Sequence, residues 1–330
     1  MSVTARAPGG GFVLSLDFEL HWGVRDKCSV AAWRERLLGA REAVPALLAR
    51  FAASGMRATW AVVGFLLTES RREMLERLPA RRPRYRQAQL SPYEAIAEVG
   101  ENERDDPFHF APTLVRQIAA SPGQEIGTHT FTHYYCLEEG ASPEALRADL
   151  EAAIAVTRDK LGRAPQSIVF PRNQFDAASL AVCGTLGLTA YRGNPRAWVY
   201  EARRDGDESS VRRALRLLDA YVPLTGSHVR AAERNGGGPV DVAASCYLRP
   251  YAPALGRLET LRVRRIESEM ERAARTGALF HLWWHPHDFG RNLAENLAVL
   301  DHILGCFRRL RERHGMQSLT MRDVADRLSA

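Results

Sequence analysis

Short apolar runs alternate with longer stretches of helical spacing along most of the 330-residue chain. Runs at 12–16, 57–63, 124–128, 167–170, 188–191, 278–284 and 317–320 are brief, rich in apolar and β-branched residues, and predict strands. Between them, apolar positions recur every three to four residues over 31–53, 143–161, 176–186, 258–275, 293–313 and 322–328, which predicts helices. Ser142, Pro143 and Glu144 form a conventional helix start, and Thr320 is placed to cap the last helix. This alternation predicts parallel strands covered by helices, either a barrel or a doubly wound sheet. Two stretches break the rhythm. Residues 69–123 are polar and rich in Arg, Pro and Glu, and 195–257 include the loop Asn235-Gly236-Gly237-Gly238-Pro239. Both read as insertions in one α/β domain spanning 1–330, without internal repeats.

Unusual polar residues gather where the strands end. Asp17 and Glu19 follow the first strand and His129 and His133 the third. Arg172 to Gln174 follow the fourth, and His285 to Asp288 follow the run ending at Trp284. In a closed parallel βα barrel all strand C-terminal ends share one rim, so these distant groups can converge.

Composition narrows the classes. The net charge of +6 arises from 45 basic and 39 acidic residues, with Lys27 and Lys160 the only lysines. Doublets such as Arg71-Arg72 and Arg264-Arg265 are interspersed with acids and read as solvated helix faces. No nucleic-acid-binding motif is present. The longest uncharged stretch, 177–191, falls short of the roughly 20 apolar residues of a membrane span. The run 12–16 is shorter than the core of a secretory signal, so a cytoplasmic location is expected. Five scattered cysteines without a C-x-x-C pair read as reduced thiols.

His129-Thr130-Phe131-Thr132-His133 places two imidazoles at i and i+4, on one side of a helical turn, where they can share a divalent cation. Thr130 stands where H-E-x-x-H has its glutamate, so the general base must come from elsewhere. One of Asp17 and Glu19 could complete a two-His, one-carboxylate site while the other takes a proton from water. The bland alternative is a pair of histidines bonded to backbone.

The strand-end motifs resemble those of the polysaccharide deacetylase family, carbohydrate esterase family 4 or NodB-homology enzymes. They are Leu14-Ser15-Leu16-Asp17-Phe18-Glu19, Ala58-Thr59-Trp60-Ala61-Val62-Val63-Gly64, the stretch from Glu125 to His133, Phe170-Pro171-Arg172-Asn173, and Leu282-Trp283-Trp284-His285-Pro286. The resemblance implies a deformed (β/α) barrel with two insertions. It implies Asp17 as catalytic base, His129 and His133 as metal ligands, Arg172 as the residue orienting the base, and a histidine after the last long strand as general acid. Two departures stand out. The usual adjacent Asp-Asp is replaced by Asp17-Phe18-Glu19, as in a D-x-E branch, making Glu19 the third ligand. Pro171 precedes Arg172 and no tyrosine follows, leaving Asn173 or a backbone amide to hold the oxyanion or substrate.

The implied reaction is metal-dependent removal of an N-acetyl group from an amino sugar carried on a nucleotide, a glycan precursor or an aminoglycosidic intermediate. The metal expected is zinc, with cobalt, iron, nickel or manganese as substitutes. A hydrolase of another linear or cyclic amide and a non-catalytic glycan-binding barrel are the alternatives. Pro286 makes His285 the last residue held rigidly by its strand, so His285 is expected as general acid. His287 is expected at substrate or in ordering the loop, and His281, deeper in the strand, as a core imidazole. Trp284, with Trp283 beside it, is a candidate wall for a sugar, although a buried strand should claim at least one of them. The arginine-rich insertions are candidates to contact a pyrophosphate.

Overall fold

The computed structural model describes residues 2–5 and 9–329, with 2–5 and Asn235 described by backbone alone. Its strands are β1 (Ser2–Ala5), β2 (Gly11–Phe18), β3 (Ala58–Val62), β4 (Gln124–Thr128), β5 (Ser167–Ile168), β6 (Ala190–Tyr191), β7 (Ala232–Asn235), β8 (Val240–Asp241), β9 (Cys246–Tyr247), β10 (Leu279–Trp284) and β11 (Gln317–Leu319). They form one sheet in the order β1-β7-β8-β6-β5-β4-β3-β2-β10-β9, with β11 beside the first half of β2. Pairing is parallel except where β7 meets β1 and β8.

The helices are α1 (Val30–Ser54), α2 (Arg71–Glu76), α3 (Pro112–Ala120), α4 (Pro143–Leu161), α5 (Ala177–Thr185), α6 (Ser210–Asp219), α7 (Glu259–Thr276), α8 (Leu293–His314) and α9 (Met321–Arg327). Their starts follow local chemistry. Ser29 and Ser142 accept hydrogen bonds from the Ala32 and Ala145 amides, and Thr320 and Asp323 cap each other's backbone N–H groups reciprocally.

The sheet curls into a deformed (β/α) barrel. Its two ends are drawn together by the segment running from β8 into β9. The Val242 and Ala244 amides donate to Tyr191 and Gly193 carbonyls on one side, and the Ser245 and Leu248 amides to His281 and Trp283 carbonyls on the other. β2 and β3 are buried on both faces, which is why they read as continuous apolar runs. The main core packs Phe12, Trp60, Phe280 and Trp284 of the sheet against Leu47 and Phe51 of α1 and Phe307 of α8. Between 69 and 123 lie α2 and α3, with Val115 and Ile118 of α3 in that core. Between 195 and 257 lie α6, β7, β8 and β9, and these three strands join the sheet. No helix among the described residues is long and apolar enough to cross a membrane.

Candidate metal centre and active site

The parallel strands deliver their C-terminal ends to one rim. Asp17 is the penultimate residue of β2 and Glu19 lies just past it; both side chains are buried. A short helical turn over Leu20–Gly23 follows, and Gly23 presses on the Glu19 carboxylate. A Cβ there would stand 2.0 Å from its carboxyl carbon, so only glycine leaves that carboxylate in place.

His129 and His133 come together by a different route from the helical turn expected of their spacing. They lie in a loop after β4, with Thr130 and His133 in the left-handed region at φ 63° and 61°. The loop is fastened by Asp149 of α4, fully buried, whose carboxylate accepts from the Phe131 amide at 2.6 Å, the Thr132 amide at 3.2 Å and the Thr132 hydroxyl. Burial pushes the Asp149 pKa up to about 6 against the pull of these donors.

The resulting donor set fits a cation. His129 Nδ1–H donates to the Val169 carbonyl at 2.8 Å, which leaves the Nε2 lone pair facing Glu19 Oε2 at 3.2 Å. His133 Nε2 lies 3.0 Å from the same oxygen, and its Nδ1 is buried without a partner. The His129 lone pair and His133 Nε2 thus converge on one carboxylate oxygen, an arrangement that a cation between them would satisfy. One donor atom from each of Glu19, His129 and His133 lies within 4.8 Å of the others, the N/O set of a zinc-type site.

Arg172 is not beside Asp17. Arg172 and Asn173 both have positive φ, at 54°, and Arg172 turns toward Asp26 and Asp205, its guanidinium 4.4 Å over the Tyr135 ring. The guanidinium on Asp17 is that of Arg192, immediately after β6. It is fully buried and donates from both Nη atoms to the two carboxylate oxygens at 2.7 Å, and onward to Ser15 Oγ at 3.0 Å and Asn173 Oδ1 at 2.9 Å. A planar guanidinium gripping both oxygens fixes the carboxylate's rotation as well as its charge. Burial works to raise the Asp17 pKa, but Arg192, and after it His129, hold it below the ordinary value. The same position rule that picks out Asp17 and His129 applies to Arg192 after the 188–191 strand; sequence reading passed over it because no family motif marks it.

His285, after β10, faces both carboxylates, with Nε2 3.6 Å from Glu19 Oε1 and 3.8 Å from Asp17 Oδ2. Its Nδ1–H donates to Asp288 at 2.9 Å, and the Tyr247 hydroxyl donates to the same Asp288 oxygen at 2.7 Å. Burial disfavours the imidazolium, yet Glu19, Asp288 and Asp17 outweigh it and push the His285 pKa up to about 10. His287 stacks on His285 at 4.8 Å, and burial, then the His285 charge, lower its pKa. His281 is a satisfied core group that donates to the Val242 carbonyl and accepts from Ser15 Oγ, both at 2.8 Å.

Trp284 does not line the site. It is buried in the core and stacked on Phe289, because strand alternation sends it away from the His285 face. Trp283 takes the lining position, with Arg192 4.1 Å over its ring. A cavity of about 320 Å³ holds Asp17, Glu19, His129, His133, His285 and His287. It shares Arg172, Asn173, Tyr247, Trp283 and His285 with a second cavity of about 400 Å³ alongside.

The barrel carries on its rim two histidines and paired carboxylates that could hold a metal ion. Residues 38–191 match the family model described as polysaccharide deacetylase. That match and the barrel support the NodB-homology family. Among solved structures, it is similar to one from Mycobacterium smegmatis classed with the polysaccharide deacetylases, at 14% identity and TM-score 0.60, covering 100% of this chain and 95% of that one. The Puue allantoinase is similar at 11% identity and TM-score 0.55, covering 96% and 88% of the two chains. A Pseudomonas aeruginosa structure classed with polysaccharide deacetylases follows at 10% identity and TM-score 0.53, covering 96% and 89%. At these identities the likeness is one of fold. Among curated proteins none matches the chain.

Proposed function

We propose that the chain is a metal-dependent N-deacetylase acting on an N-acetylated amino sugar. The observation that carries this reading is the pairing of a bidentate, Arg192-held Asp17 with His285, oriented by Asp288, across the Glu19, His129 and His133 donor set. A divalent cation held by those three residues, zinc before other first-row ions, would supply Lewis-acid activation of the amide carbonyl and the attacking water. Asp17, kept anionic by Arg192, takes the proton from water. His285 gives its proton to the departing amine and regains one from solvent, while Asp17 releases the one it took; Glu19, Asp288 and Asp17 favour the charged imidazolium. Asn173, fixed by Arg192, and Trp283 stand where the sugar must enter, with His287 behind His285.

The test measures acetate released from a panel of N-acetylated sugars, with a cyclic ureide alongside. Asp17→Asn should keep metal by elemental analysis and lose turnover, because an amide cannot accept the proton; Glu19→Ala should lose metal. Metal retained in a His129→Ala, His133→Ala double variant, or acetate release surviving in Asp17→Asn, would sink the assignment. Turnover of the ureide alone would move the chain to cyclic-amide hydrolysis.

A further inference from the structure

Nine large apolar side chains stand exposed among the described residues, and eight of them lie between Trp198 and Leu261. The helix at the centre of this group, α6, is inside out. Val211, Leu217 and Leu218 face solvent, Val211 at 64% exposure, while Arg212 and Asp219 are buried at 4% and 1%. Both buried charges have polar partners, although Nε and one Nη of Arg212 are buried without one. Arg212 donates to the Trp198 and Glu201 carbonyls, and Asp219 accepts from the Tyr200 hydroxyl, Thr225 and Arg265. A surface helix ordinarily turns its apolar stripe inward. Here the inward face is held by polar contacts, and the apolar face, continued by Val222 and Leu224, is left outward.

The cavity of about 400 Å³ beside the active site has α6 as one wall, through Arg216 and Ala220. Its other arginines are only partly matched. Arg265 is nine-tenths buried, and while one Nη donates to Asp219 at 3.0 Å, the other has no partner. No carboxylate among the described residues lies within 4.0 Å of the Arg249 or Arg204 guanidinium. Residues 195–265 carry thirteen arginines against eight acids. Outward from His285, the order is therefore the carboxylate and imidazole rim, a cavity of about 400 Å³ lined by six arginines and three carboxylates, and an exposed apolar helix face flanked by arginines.

Resting on the deacetylase reading above, we propose that the substrate is an amino sugar joined through a phosphate or diphosphate to a long-chain lipid, taken from a membrane surface on which α6 lies. Guanidinium groups with free N–H donors suit phosphate oxygens. An apolar helix face bordered by arginines is the composition of an interfacial helix on anionic lipid. A nucleotide-linked sugar would fill the arginine cavity and leave the apolar face uncovered.

Two measurements decide this without using turnover. The first is flotation with vesicles of phosphatidylglycerol and phosphatidylcholine. The wild-type chain should float, and a Val211→Ser, Leu218→Ser, Leu224→Ser variant, checked for an unchanged thermal melt, should not. The second is calorimetric binding of farnesyl diphosphate against uridine diphosphate. The farnesyl compound should bind about tenfold or more tighter, and Arg249→Ala should weaken both by about tenfold, the scale of one charge-assisted contact. Flotation unchanged in the triple variant overturns the proposal, as does uridine diphosphate binding as tightly as farnesyl diphosphate. So does absence of flotation with a wild-type dimer that the triple variant converts to monomer, which would make α6 a subunit interface. If no N-acetylated sugar releases acetate, the deacetylase reading fails, while these two readouts still stand or fall alone.

Discussion

At the scale of single residues, the rim depends on which arginine holds which acid. Arg192 binds Asp17 through two hydrogen bonds in a fully buried setting, so its removal strands an uncompensated carboxylate at a cost of ~3–5 kcal/mol. Arg192→Met is expected to raise the Asp17 pKa and move the acid limb of the pH–rate profile to higher pH, with kcat falling further than KM changes. Arg172→Gln breaks a pair with Asp26 and leaves that limb where it is. Matching shifts in the two variants would return the orienting role to Arg172. His285 and His287 are separated by the same kind of measurement. A general acid works in its protonated form, so the rate falls as pH rises through its pKa. Carboxylates raise the His285 pKa, to about 10, whereas burial and the His285 charge lower that of His287. His285→Ala should lose most of kcat together with the alkaline limb, and His287→Ala should keep the limb.

At the scale of elements, His129 and His133 belong to a loop, and that loop is fixed by a helix. The histidine loop contains two residues in the left-handed region, a cost of roughly 1–2 kcal/mol for each non-glycine. Three donors converging on Asp149 of α4 offset this strain. Asp149→Ala would leave those donors buried and unpaired, each costing about 1–3 kcal/mol before relaxation. The expected outcome is a drop of several kcal/mol in urea stability, and weaker metal binding than in a core variant of equal stability loss such as Leu150→Ala. Equal metal affinity in the two would show that Asp149 acts on the fold alone. The other flank is held differently. Gly39 of α1 and Gly290, just after His285–Asp288, approach backbone to backbone, a Cβ on Gly39 falling 2.1 Å from the Gly290 carbonyl oxygen, so α1 braces the turn that carries His285.

At the scale of the whole molecule, the barrel concentrates its buried charge on one rim, and that is also why it is legible in sequence. Apolar runs expose β2, β3, β4 and β10, and a charged or imidazole group directly after a buried run marks Asp17, Glu19, His129 and His285. Elements with little hydrophobic signal escape this reading. β8 and β9 are two residues each and are held by hydrogen bonds to β6 and β10 rather than by an apolar pattern. The inverted polarity of α6 hides it from any search for inward stripes. The contacts of Arg172 and Arg192 depend on backbone dihedrals that spacing does not encode. The same concentration of charge governs stability of the metal-free chain. The His285 pKa is raised to about 10, so its stabilisation is complete below the unfolded value near 6.5 and is lost as pH rises toward 10. Buried His133 and His281, lowered to about 4 and about 3, act in the opposite sense: below 6.5 the unfolded chain takes up protons that the folded one refuses. Asp149, at about 6, offsets one of those two protons. Stability of the EDTA-treated protein should therefore peak near pH 6.5 and decline to either side by about 1.4 kcal/mol per pH unit for each net proton. Urea titrations from pH 5 to 9 on wild type and His285→Gln check this. In the variant the alkaline decline should vanish while the acid side persists; an identical alkaline slope in both would mean that His285 is not held charged by the rim.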